Sequence, residues 1–122
     1  MSQPLIPESQ TQFFNFLQTI SKFSPADSQK LQLLFTNYQQ LLLEWNNKIN
    51  LISHNDILNL WSRHFHDSLI PLQVFPQIAQ FQKPGISAID LGSGAGFPGI
   101  PLAFLFPQVS WTLLDSIKYG EI

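Results

Sequence analysis

The sequence predicts an α/β protein: an N-terminal helical layer, then the first β-α-β half of a doubly wound parallel sheet, left incomplete. Three observations carry that prediction. Residues 10–69 place apolar side chains at helical spacing. Ile86 to Leu91 is an apolar run ending beside Asp90, and glycines follow at positions 92, 94, 96 and 99. Val109 to Leu114 is a second β-rich run, one helix length further on. Strand, glycine turn and helix N-terminus in that order commonly hold a nucleotide-like cofactor. A β-α-β order also calls for a parallel pair joined by a right-handed crossover.

The elements follow in order. Met1 to Glu8, with Pro4 and Pro7, reads as a loose tail. Phe13, Phe16, Leu17 and Ile20 recur at i, i+3, i+4 and i+7, one face of an amphipathic helix. Ser24-Pro25-Ala26-Asp27 offers a capping serine, a proline at the first helical position and a first-turn acid. The second helix carries Leu31, Leu34, Phe35, Tyr38, Leu41, Leu42 and Trp45 on one stripe and ends near Asn46-Asn47. A third helix, capped by Ser53 or Asn55, turns Ile57, Leu58, Leu60, Trp61, Phe65 and Leu69 inward, with Pro71 near its end. A fourth short helical piece, Leu72 to Phe81, precedes the break at Lys83-Pro84-Gly85. The first strand is Ile86–Leu91; the helix behind the loop runs from Gly99 to Phe106 and stops at Pro107; the second strand is Val109–Leu114. The predicted boundary thus separates a helical region, 1–83, from the start of a cofactor-binding domain, 84–122.

Composition narrows the function. Charged residues are only 11% of the 122, against a typical ~25%. Lys22, Lys30, Lys48, Arg63, Lys83 and Lys118 stand singly and the net charge is −2, so no basic patch marks a nucleic-acid footprint. With no cysteine, disulfides and thiolate metal sites are excluded. The N-terminus lacks a basic flank followed by an apolar core, and no apolar run reaches ~18 residues, so neither a secretory signal nor a membrane span is predicted. A cytoplasmic protein with no membrane partner is the expectation.

Two cofactors compete for the glycine loop. Gly94-x-Gly96-x-x-Gly99 matches the dinucleotide fingerprint, and Asp115 lies 19 residues beyond Gly96, close to the ~20 expected of a ribose-binding acid. S-adenosylmethionine is the alternative, and Asp90 favours it. An acid two residues before Gly92 would repel a pyrophosphate, whereas a sulfonium and an ammonium group are attracted to it. Asp115 can accept from ribose hydroxyls in either case. A bare tight turn accounts for one or two glycines, not four at this spacing. A helical interaction module with a vestigial loop is a third, non-enzymatic possibility. Arg63-His64-Phe65-His66-Asp67 reads as the polar side of a helix, with Arg63 and Asp67 placed to pair at i, i+4. It is not read as a metal site, because i, i+2 side chains leave on different faces. Phe13, Phe16, Trp45, Trp61 and Phe65 lie on apolar stripes and read as core.

Three segments carry a resemblance to a known family. Leu43-Glu44-Trp45-Asn46-Asn47-Lys48-Ile49-Asn50-Leu51-Ile52-Ser53, Arg63-His64-Phe65-His66-Asp67-Ser68 and Ile89-Asp90-Leu91-Gly92-Ser93-Gly94-Ala95-Gly96-Phe97-Pro98-Gly99-Ile100-Pro101-Leu102 come in the family's order. Together with Thr112-Leu113-Leu114-Asp115-Ser116 they resemble the bacterial 16S ribosomal RNA guanine-N7 methyltransferase G family, also called glucose-inhibited division protein B. The resemblance covers about residues 31–116. It implies a Rossmann-like class I methyltransferase sheet and S-adenosylmethionine as cofactor. It further implies 16S ribosomal RNA or the small ribosomal subunit as partner, and no metal. Carried onto this chain, it implies a cofactor loop of Gly92, Gly94, Gly96 and Phe97, supported by Asp90, with Asp115 on the ribose; no catalytic residue is implied. Members of the family continue past the Asp-Ser with a basic helix and further strands, where this sequence stops at Ile122. A truncated or frameshifted product, or a fragment, with impaired methylation and marginal folding, is therefore expected.

Overall fold

The computed structural model describes residues 7–20, 27–75 and 80–115. Six α-helices, one π-helical segment and two strands are laid out along them. Helix α1 is Pro7–Ile20 and α2 is Ser28–Asn46. Pro7 and Glu8, expected to be tail, already belong to α1. A second correction concerns the start of α2. Its cap is Asp27, in an extended conformation, whose carboxylate accepts from the Lys30 N–H at 2.8 Å. Ser24, expected in that role, lies outside the described residues.

Asn46 closes the turn after α2, its Oδ1 accepting from the N–H groups of Leu51 and Ile52 at 2.7 and 2.9 Å. Ser53 then caps α3, His54–Leu58, by accepting from the Asp56 N–H. The third helix is not continuous. A π-helical segment, Leu60–Phe65, comes after α3, and α4, His66–Leu69, continues from it. Proline then starts the short α5, Pro71–Val74. The wider π turn rotates the residues beyond it, so Arg63 and Asp67 do not form the expected ion pair. His64 reaches back to Asp56 instead, and His66 Nδ1 is 3.8 Å from Asp67. Helix α5 ends at Val74, well short of residue 81; part of the stretch between lies outside the described residues.

Strand β1, Ser87–Leu91, pairs in parallel with β2, Ser110–Leu114, with Ser87 opposite Ser110 and Leu91 opposite Leu114. Between them α6, Gly99–Leu105, lies on the face that carries Ala88, Asp90 and Leu113. On the opposite face Ile89 and Leu91 are 62% and 77% exposed. This is the β-α-β unit with which a Rossmann-like sheet begins, with two strands among the described residues.

The core joins the helical layer to α6. Phe13, Leu17, Ile20, Leu31, Phe35, Leu60, Trp61, Phe65, Leu69, Leu105 and Phe106 are all buried. Several aromatic rings meet edge to face: Phe13 with Phe35 at 4.8 Å, Trp61 with Phe65 at 4.9 Å, and Phe35 with Phe104 of α6 at 5.1 Å. Trp45 departs from expectation. With Leu41 it is about half exposed, on a groove of roughly 350 Å³ between α2 and α6. The seven residues of α6 span only ~10 Å and leave the last turns of the 19-residue α2 uncovered. Leu58 is also exposed rather than core. None of the described helices is long and apolar enough to cross a membrane.

Burial therefore separates residues that hydropathy treats alike. Phe35→Ala should lower unfolding free energy by about 3–5 kcal/mol, whereas Leu33→Ala, at a position 62% exposed, should change it by about 0.5 kcal/mol or less. Urea denaturation of the two variants checks this; equal losses would contradict the packing.

Candidate functional site

The loop between β1 and α6 forms from conformations that only glycine adopts freely. Gly92, Gly94 and Gly96 have φ of +73°, +55° and +110°. The Phe97–Pro98 peptide is cis. Most backbone donors along the loop, that of Ala95 excepted, are already engaged. Gly92 and Ser93 donate to the Leu114 carbonyl at 2.7 and 3.2 Å, and Gly96 and Phe97 to the Ser93 carbonyl at 2.8 and 3.0 Å. Ile100 donates to Gly96 and Leu102 to Pro98.

The two acids complete the closure. Asp90 Oδ2 accepts from the Gly99 N–H at 2.8 Å, and Asp115 Oδ2 accepts from the Gly94 N–H at 2.6 Å. Pro98 offers α6 no side-chain cap, so Asp90 caps the helix from the neighbouring strand. Partial burial raises the Asp90 pKa above its ordinary value, the Gly99 hydrogen bond opposing the shift.

The glycines divide into two kinds. A Cβ on Gly92 would meet nothing within 4 Å, and one on Gly94 only Asp115 Oδ2 at 3.9 Å. Their backbone faces open space beside a carboxylate. Gly96 and Gly99 are buried against the protein itself. A Cβ on Gly96 would lie 2.5 Å from Ile100 Cδ1 and 2.6 Å from the Tyr38 hydroxyl, and one on Gly99 would run into Leu113 and Asp90.

The six predicted site residues thus stand in three places. Gly92, Gly94 and Asp115 border the open side. Asp90 and Gly96 lie beneath the loop, holding α6 and making room for Tyr38. The Phe97 ring turns away into the helical layer, 5.7 Å from Tyr38, 5.9 Å from Phe65 and stacked on His64 at 5.1 Å and 27°.

His64 and Tyr38 escaped the sequence reading as loop contacts. His64 Nε2 lies 2.9 Å from Asp56 Oδ1, close enough for a charge pair but not aligned as a hydrogen bond. The His64 side chain, then Ser53, holds the exposed Asp56 carboxyl below its usual range. Tyr38 donates to the Ala95 carbonyl at 2.7 Å. Its one sequence signal was a hydroxyl on a buried stripe, which must find an acceptor but does not say which.

An open glycine backbone with a carboxylate at its edge suits a ligand that presents hydroxyls or positive charge. It suits a pyrophosphate poorly, because most of the donors a phosphate needs at the loop and helix start are committed within the protein. Among the described residues, no group of three or more His, Asp or Glu could hold a metal ion.

Strand, glycine loop and buttressed helix define a β-α-β unit of the Rossmann-like class. Comparison with known proteins takes the assignment further. The model of the family described as rRNA small subunit methyltransferase G matches residues 31–119, and the chain belongs to that family. Three curated relatives are named ribosomal RNA small subunit methyltransferase G. That of Porphyromonas gingivalis is 46% identical over 100 residues, covering 82% of this chain and 43% of the relative. That of Bacteroides thetaiotaomicron is 42% identical over 101 residues, covering 83% and 47%. That of Oenococcus oeni is 39% identical over 103 residues, covering 84% and 41%. The matched region of this chain therefore spans less than half the length of each of these relatives.

Two substitutions test how the loop is held. Gly99→Ala should destabilise the fold by about 1–3 kcal/mol, since its methyl must displace α6 from Leu113. Asp90→Ala should cost about 1 kcal/mol through the lost cap, and Asp90→Asn less, because the amide oxygen can still accept from Gly99. A raised folded-state pKa means that the native protein binds the proton more tightly than the unfolded chain. Wild type should therefore lose stability relative to Asp90→Asn as pH rises from about 4 through the raised pKa. Denaturation midpoints across that range check the sign; a gain with pH would contradict it.

Proposed function

We propose that the loop binds S-adenosylmethionine and that the protein methylates N7 of a guanine in small-subunit ribosomal RNA. The observation that carries the cofactor assignment is the internal engagement of the loop's donors. Gly92, Ser93, Gly94, Gly96, Phe97 and Gly99 all give their N–H groups to protein acceptors, two of them carboxylates. A dinucleotide's pyrophosphate would have to break these bonds and approach two acids. A ligand with an ammonium, a sulfonium and a ribose would keep the bonds and gain from the acids. In this reading Gly92 and Gly94 let the cofactor lie against the backbone, and Asp115 offers its carboxylate to the ribose hydroxyls. Asp90, Gly96 and Phe97 shape the loop from below and behind.

When bound, S-adenosylmethionine supplies an electrophilic methyl group. Guanine N7 carries an exposed lone pair, so the chain's residues need remove no proton from the nucleophile. Their task is to hold methyl and N7 in line, which is catalysis by proximity and orientation. That no general base is evident among the described residues is therefore no argument against this chemistry. The family's name supports ribosomal RNA as substrate. Two described strands with Ile89 and Leu91 exposed support impaired transfer by the 122-residue chain alone.

Titration monitored by amide resonances separates the cofactors even at weak affinity. S-adenosylhomocysteine should shift Gly92, Gly94 and Asp115, and NAD should leave them in place; the reverse would assign the loop to a dinucleotide. Methyl transfer from labelled S-adenosylmethionine to small-subunit ribosomal RNA should be readily measured for the Porphyromonas gingivalis relative and strongly reduced for this chain. Comparable rates would refute the impairment.

A further inference from the structure

Phe65, His64 and Tyr38 of the helical layer meet the loop, and Tyr38 makes a polar contact to it. It stands on α2, 57 positions before Ala95, and gives its hydroxyl to the Ala95 carbonyl at 2.7 Å. Its ring stacks on Phe65 at 5.3 Å and 18° and lies against Phe97. The same hydroxyl occupies space that a Cβ on Gly96 would need. Burial, with the Asp90 carboxylate adding to it, pushes the phenol far above its ordinary value, so it remains a protonated donor.

The place of that bond matters more than its existence. Ala95 separates Gly94, whose backbone is open, from Gly96, whose backbone is packed. Holding its carbonyl restrains the peptide planes on both sides, in a segment where three glycines otherwise permit wide φ excursions. A buried tyrosine needs only some acceptor. This one is bonded to the middle of the loop.

We infer that Tyr38 is a positioning residue for the cofactor site: its hydroxyl on the Ala95 carbonyl holds the Gly92–Gly94 backbone in the shape the cofactor meets. The helical layer thereby tunes cofactor affinity through a buried residue. The inference rests on the S-adenosylmethionine reading and deepens it.

Tyr38→Phe keeps the ring and removes the bond. In the 122-residue chain, amide exchange at Gly94, Ala95, Gly96 and Phe97 should accelerate several-fold, while Phe65, Leu69 and Leu105 exchange as in wild type. Affinity for S-adenosylhomocysteine, from the resonance titration, should fall about five- to ten-fold, the effect of losing one neutral hydrogen bond. Unchanged loop exchange with unchanged affinity would overturn the inference. Faster exchange of loop and core amides together would also overturn it, since Tyr38 would then serve packing alone. If wild type takes up no S-adenosylhomocysteine, the cofactor reading fails separately, and loop exchange alone decides whether Tyr38 holds the loop.

Discussion

A carboxylate at the end of one strand, bonded to the first N–H of the next helix, organises this structure. Asp90 Oδ2 and the Gly99 N–H are 2.8 Å apart, and that contact draws the two ends of the loop together. Helix α6 has no capping side chain of its own, so Asp90 satisfies a donor that would otherwise be left at its start. Gly99 lets the contact form, because any side chain there would collide with Leu113 on β2. The strand pair, the helix and the loop are thus mutually determined. With the ends drawn together, the residues between turn back through left-handed glycines and bond to the end of β2.

The helical layer is part of the same construction. The π-helical segment turns Trp61 and Phe65 into the core while His64 stacks on Phe97 of the loop. Phe35 and Tyr38 on α2 meet Phe104 of α6 edge to face. These rings therefore form one continuous cluster from Phe13 on α1 to Phe97 of the glycine loop. Rings of this size bring large buried areas, and their edge-to-face contacts add orientation to the hydrophobic term. The loop's outer side, at Gly92, Gly94 and Asp115, stays free of this packing. The division explains how a short, glycine-rich segment can keep one shape while its backbone at Gly92 and Gly94 stays open.

Much of the fold was legible because it is encoded locally. Phe13, Leu17 and Ile20 on α1, and Leu31, Phe35, Tyr38 and Leu42 on α2, follow helical spacing and are buried as that spacing implies. The two strands and α6 lie within a residue or so of their expected bounds. Trp45, Leu41 and Leu58 were misjudged because hydropathy shows which face is apolar, not how far the neighbouring element extends. The break at Leu60–Phe65 was invisible for a related reason: its residues suit an α-helix, and the π geometry depends on packing. At the site, the glycine spacing located the loop correctly but could not sort the glycines. Gly92 and Gly94 face open space, and Gly96 and Gly99 face protein.

The sequence by itself determined the β-α-β order, the position of the glycine loop, the buried stripes of α1 and α2, and the family. These come from periodicity, from the φ values glycine permits and from the order of short motifs, all properties of neighbouring residues. Tertiary structure alone decided what each site residue does. Asp90 and Asp115 both lie at strand ends, yet one caps a helix while the other stands beside the open backbone, and Tyr38 bonds to a carbonyl 57 residues away. Such partners are chosen by how helices and strands pack in three dimensions, and no local pattern in the chain specifies them.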